Sequence, residues 1–156
     1  MSKAISTSLQ IPRQQGCYIL VLALLEDESI VVGKLGAFRF QKGYYLYVGS
    51  ALGESGLAGR IRHHLQPGKL HWHIDYLRAA AQLVEIWISD TRQRKECNWA
   101  ERLAAFLPLS RPYIGFGSSD CRCISHLFYC PSAAALDQLR RTVQEQGMKG
   151  ICQSSD

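Results

Sequence analysis

Between Lys42 and Leu65 the chain reads KGYYLYVGSALGESGLAGRIRHHL, a path that starts as an aromatic run and ends crowded with arginine and histidine. Tyr47 falls near the end of that run, which Gly49 closes, and Tyr18 lies early in an upstream apolar run. If the two runs pair side by side as strands, both phenols reach one sheet face. Arg60 and His64 are four residues apart, so on a helix they share a face one turn apart. Glu96 opens a further helical pattern, ECNWAERLAAFL, where the helix dipole favours its carboxylate and presents it to solvent or a metal. Tyr18, Tyr47, Arg60, His64 and Glu96 thus supply two hydroxyls, a fixed cation, an imidazole and a hard oxygen ligand. Phosphodiester hydrolysis needs such a set: a water deprotonated for attack, a cation for the charge growing on phosphate, and a divalent metal at the leaving oxygen. A lone carboxylate suits Mg²⁺, which keeps most of its waters. Taken singly, each residue also has a structural role, the tyrosines as core residues and the charged groups as a solvated helix face.

The elements that must position this set follow from pattern. GCYILVLALLEDESIVVGKLG reads as two β-rich runs, Cys17–Leu25 and Ser29–Val32, joined by the polar EDE as a hairpin. YYLYVG is a third strand. From Leu57 to Leu65 apolar and basic residues fall at helical spacing until QPGK stops the helix. WHIDYLRAAA predicts a second helix, LVEIWIS a strand, ECNWAERLAAFL a third helix, SHLFYC a strand and residues 132–143 a last helix. This order predicts a single α/β domain over residues 15–146, with a small, mostly antiparallel central sheet flanked by helices and an added C-terminal strand and helix. Residues 1–14 and 147–156 are expected to be mobile.

Composition bounds the partners. With 156 residues, 47% hydrophobic and 20% charged, the chain can bury one core and is not a disordered polyion. Eighteen basic and thirteen acidic side chains leave +5, compatible with a polyanionic partner. Much of the charge gathers between residues 60 and 78, where Arg60, Arg62, Lys69 and Arg78 face the single Asp75 and four of the five histidines also lie. Arg62, His63, Lys69, His71, His73 and Arg78 are therefore candidates to meet a phosphate backbone, with Trp72 and Tyr76 either stacking on an unpaired base or packing in the core. Asp75 stands one turn from His71, to orient that imidazole or to cap the helix. The N-terminus has no apolar stretch of the signal-peptide kind, and the longest apolar run is under half a membrane span. A soluble, cytoplasmic protein with reduced thiols and no membrane partner is expected.

A second constellation is SDCRCISHLFYC. Cys121, Cys123 and His126, completed by Cys97 or Asp120, have the donor types of a tetrahedral Zn²⁺ site. Paired CxxC knuckles are absent, and buried thiols supporting a neighbouring face explain the same residues.

GCY at Gly16–Tyr18 and YVG at Tyr47–Gly49 resemble the paired signature of the GIY-YIG nucleases, followed by that family's arginine and histidine in RIRHH and its glutamate in KECNWAERL. The wider pattern, GYYLYVGSA, HWHIDYL, EC and SDCRCISHLFY, resembles the DUF123 branch of that superfamily, from about Gly16 to Tyr129. The resemblance implies a three-stranded antiparallel sheet flanked by helices and one metal site. It implies that Tyr18 helps to activate water, with Tyr47 hydrogen-bonding beside it. Arg60 would stabilise phosphate charge, His64 would assist proton transfer or contact phosphate, and Glu96 would hold Mg²⁺ or Mn²⁺. Asp120, Cys121 and His126 stand in the region where family members carry a late asparagine. The expected function is metal-dependent cleavage of DNA. Two other classes use the same residues differently: a nucleic-acid-binding module without turnover, and a cysteine-dependent enzyme using Cys121 or Cys97 with His126.

Overall fold

A run of nine apolar or small residues, GCYILVLAL, can be satisfied only where both faces of a strand are covered, and this run forms the centre of the sheet. In the computed structural model, which describes residues 11–66, 70, 72–89, 96–106, 108–110, 113, 115–117 and 123–151 except the side chains of residues 96 and 97, it is strand β1, Gly16–Leu24. Its two neighbours are β4 (Gly43–Ala51) and β5 (Gln82–Ser89), both antiparallel. The expected three-stranded antiparallel centre is present. Strands β6 (Leu127–Cys130) and β7 (Lys149–Gly150) widen it to five in the order β6-β4-β1-β5-β7.

The expected hairpin between the first two runs does not form. With β4 and β5 on its two edges, β1 has no edge left for β2 (Glu28–Val32), which pairs instead with β3 (Gly36–Phe40) in a separate two-stranded sheet. Strand β3, GAFRF, was not expected. Along β2 burial alternates, Ile30 packing inward while Val31 stays 65% exposed. That pattern suits a strand lying over a core, and not one inside it.

Among the described residues, four helices cover the sheet: α1 (Gly56–Leu65), α2 (His73–Ala80), α3 (Glu96–Ala104) and α4 (Ala133–Glu145). Alternation along the strands divides the core in two. Tyr18, Leu20 and Leu22 of β1 and Tyr45 and Tyr47 of β4 meet Leu57, Ala58 and Ile61 of α1, Ile74 and Leu77 of α2, and Val32 and Phe40 of the small sheet. On the other face Cys17, Ile19 and Val21 meet Trp99, Ala100 and Leu103 of α3 and Leu136, Leu139 and Val143 of α4. Ser132 caps α4 by accepting the Ala135 N–H, a contact worth about 1 kcal/mol. The Arg140 guanidinium fastens α4 to β5 through Glu85, whose carboxylate also accepts from the Trp87 indole.

Parts of the two segments expected to be mobile are tied to this body. Pro12 and Gln14 accept backbone hydrogen bonds from Ala58 and Leu57. Met148 is buried, and the Ile151 N–H donates to Ile86 beside β7. Among the described residues, no helix is long and apolar enough to cross a membrane.

Candidate functional site

Register places the two phenols. Tyr18 lies opposite Gly49 and Leu20 opposite Tyr47, so Tyr18 and Tyr47 share the face that α1 and α2 cover. Gly49 makes room for the first ring: a Cβ there would fall 2.4 Å from the Tyr18 Cζ and Oη. Helix α1 is sewn to the segment that enters β1. Gly56 at its start has φ +59°, and a Cβ would meet the Arg13 carbonyl at 1.9 Å, so only glycine fits this junction. Leu57 and Ile61 then set the buried stripe of α1, and His64, next along it, is fully buried.

His64 is the hub. Its Nε2 lies 2.8 Å from the Tyr18 Oη, and its Nδ1 lies 3.8 Å from the Asp75 Oδ1. Asp75 is itself fully buried. It accepts the Trp72 backbone N–H at 2.8 Å, which fastens the first turn of α2. Both its oxygens stand 3.2 Å from the Nε2 of His63, a residue 27% exposed. Burial pushes the His64 imidazole down to about 3; the Asp75 charge opposes this, and His63, Arg60 and Arg78 add to it. The imidazole is therefore neutral at neutral pH, and the Tyr18–His64 contact joins two uncharged groups.

Arg60, one turn before His64, is held by an aromatic face. Its guanidinium carbon sits 4.4 Å from the Trp72 ring centroid, a cation–π arrangement. The His63 ring stands 4.6 Å from the same indole and the His64 ring 5.9 Å from it. The Tyr47 ring closes the other side, 6.4 Å from His64.

The structure thus brings together Tyr18, Tyr47, Arg60 and His64 from β1, β4 and α1. Glu96 opens α3, whose Trp99, Ala100 and Leu103 pack on the opposite face of the sheet; the Glu96 side chain lies outside the described residues. Of the residues expected to meet phosphate, Arg62 is exposed. His63 is turned to Asp75. His73 accepts the Gly117 N–H through Nδ1 at 3.0 Å, and burial pushes its imidazole down. Arg78 donates to the Ala81 carbonyl at 3.1 Å, and burial lowers its guanidinium. Lys69 and His71 lie outside the described residues.

Of the thiol and histidine group, Cys123 is half-buried against the α3–α4 core and His126 is buried, its backbone bonded to Phe116 and Val48. Asp120, Cys121 and the Cys97 side chain lie outside the described residues. Among the described residues, no group of three or more histidine, cysteine, aspartate or glutamate side chains is placed to hold a metal ion.

Spacing gave no sign that Asp75 serves His63 and His64 while also fastening its own helix; the available signal was the adjacent His63 and His64 followed by a lone acid within a basic stretch. Trp72, read as either a base-stacking or a core residue, is the shelf on which Arg60 rests.

Fold and site together define an α/β protein with a buried phenol–imidazole pair, a buried carboxylate behind it and a stacked arginine at its side. The family model described as "Domain of unknown function DUF123" matches residues 17–148, and the chain belongs to that family. No curated protein and no solved structure matches it.

Proposed function

We propose that the chain is a metal-dependent endonuclease that hydrolyses phosphodiester bonds in DNA. The observation that carries this reading is the 2.8 Å contact between the Tyr18 Oη and a neutral His64 Nε2, on the face where Trp72 holds Arg60. The order of the motifs, similar to that of GIY-YIG nucleases, supports it. In this reading the Tyr18 oxygen takes a proton from the attacking water while its own proton moves to His64, and Tyr47 closes the site beside them. Arg60 meets the phosphate, its planar fork matching two phosphate oxygens. Arg62 extends the positive surface along the DNA.

The reading calls for Mg²⁺ or Mn²⁺, which would supply positive charge at the leaving oxygen. Asp75 is the one buried carboxylate among the described residues, and it is committed to Trp72 and His63, so it does not serve as the ligand. In this reading Glu96 would hold the ion.

A specific observation favours a second reading. Tyr18 is only 1% exposed, as a phenol that merely satisfies a buried imidazole would be, which suits a DNA-binding module without turnover. One assay separates the two: cleavage and binding of duplex, single-stranded, flapped and branched DNA with added Mg²⁺ or Mn²⁺, for wild type, Glu96→Gln, Tyr18→Phe and Arg60→Lys. The nuclease reading expects wild-type cleavage, and losses of about 100-fold or more in the first two variants with binding retained. It expects an intermediate loss for Arg60→Lys. Wild-type binding without cleavage, or full cleavage by Glu96→Gln, overturns it.

A further inference from the structure

His64 has one ring nitrogen bonded and one without a hydrogen-bond partner. The buried Nδ1 makes no hydrogen bond, yet it points at a buried carboxylate 3.8 Å away. A neutral imidazole carries one N–H and one lone pair. A lone pair at Nδ1 would face the Asp75 charge with the same sign, whereas an Nδ1–H turns its positive end to that charge. The other nitrogen then has its lone pair toward the Tyr18 hydroxyl, which donates to it.

We propose that Asp75 is a positioning residue that completes a Tyr18–His64–Asp75 triad, fixing His64 as the Nδ1–H tautomer so that Nε2 receives the Tyr18 proton. The role rests on the catalytic reading given above. The proton inventory closes. As the water oxygen bonds to phosphorus, its proton passes to the Tyr18 Oη and the Tyr18 proton passes to Nε2. The bond from phosphorus to the leaving oxygen breaks with its electron pair on that oxygen, which takes a proton from solvent. His64 is briefly an imidazolium, stabilised by an Asp75 carboxylate that takes no proton itself. It then returns its proton through Tyr18 to solvent.

Among the described residues, the charged or titratable groups that face the imidazole fit this division of labour. Asp75 and Arg78 face it from α2, Arg60 and His63 from α1, Tyr18 from β1 and Tyr47 from β4. Among the described groups facing the imidazole, Asp75 is the anion, so it is the one that stabilises a positive imidazole there, against the two arginines. Its second partner, His63, stands with Nε2 at 3.2 Å from each carboxylate oxygen, so an N–H there can donate to the buried carboxylate.

The test is a histidine-ring ¹⁵N NMR measurement on the full chain at neutral pH, with His64 assigned by its loss in His64→Gln. The wild type should show His64 as the Nδ1–H tautomer. Asp75→Asn keeps an oxygen for the Trp72 N–H and so keeps the helix start, but it removes the charge, and its amide N–H can donate to Nδ1. In that variant His64 should shift to the Nε2–H tautomer at nearly unchanged melting temperature, and turnover should fall at least 100-fold without weaker DNA binding. His63→Gln should leave the His64 tautomer as in wild type. An Nε2–H tautomer in the wild type, or a tautomer that Asp75→Asn leaves unchanged, overturns the proposal. A tautomer switch in a protein that cleaves no DNA sustains the positioning role of Asp75 while removing the nuclease reading, so the two failures are distinguishable.

Discussion

Replacing His64 with glutamine should flatten the acid side of the stability curve. The imidazole ordinarily titrates at 6.5, but burial holds His64 at about 3 in the folded protein. Between those values the unfolded chain binds a proton that the native state refuses, so stability falls as pH falls. Above 6.5 both states are neutral at this residue and the term vanishes. At pH 5 the unfolded imidazole is already mostly protonated, and the cost is about 2 kcal/mol for this one group. For a chain of this size that is a drop of about 4–8 °C in Tm. Glutamine carries no titrating group and can still accept from the Tyr18 hydroxyl. The comparison is urea denaturation of wild type and His64→Gln at half-unit steps from pH 7.5 to 4.5. The variant has its own offset from altered packing, so the informative quantity is the slope. The difference between the two curves should grow steadily in the wild type's disfavour below pH 6.5. Parallel curves would refute the claim that His64 is held neutral by burial, and with it the uncharged Tyr18–His64 pair.

Two further outcomes follow from the same geometry. Gly49→Ala sets a methyl 2.4 Å from the Tyr18 ring; because Tyr18 is buried and cannot swing clear, we expect a loss of about 1–3 kcal/mol, measured by thermal melting and reduced in a Tyr18→Ala background if the clash is the cause. Arg62→Ala should weaken binding to all DNA sequences alike and lower the slope of log affinity against log salt by about 1, as loss of one phosphate contact requires; an unchanged slope would take Arg62 out of the interface.

Most elements were legible because their periodicity is local. Leu57, Ile61 and His64 mark the inner stripe of α1 before any neighbour is known. Pairing was not legible, because it depends on which other strand competes for an edge. The polar EDE between β1 and β2 has the look of a hairpin turn, and only the unbroken apolarity of β1 tells against it. A strand apolar on both faces sits at a sheet centre, and its edges are taken by the long strands β4 and β5. Strand β3 begins with glycine and carries the exposed Arg39, so in isolation it reads as loop. Strand β7 is two exposed residues, too short for any pattern.

The site divides along the same line. That Tyr18 and Tyr47 share a face, and that Arg60 and His64 share another, follow from strand and helix periods alone. What Asp75 does cannot be read from period, because its partners lie on a different helix. Sequence spacing offers His71, one turn away; the packing of α2 against α1 delivers it to His63 and His64. The same packing changes the electrostatics of the basic stretch. Counted as letters, residues 60–78 are a strongly cationic surface. In the fold Arg78 and His73 spend hydrogen bonds on Ala81 and Gly117, His63 turns inward, and Arg60 lies on Trp72. Of the described arginines and histidines in that stretch, Arg62 and the stacked Arg60 are left to meet an anion. In the proposed nuclease, these two arginines beside the phenol–imidazole pair would position a phosphate at the site. The burial of Asp75 and the stacking of Arg60 on Trp72 are both set by the start of α2, so in that reading one turn of helix would fix both the proton acceptor and the cation.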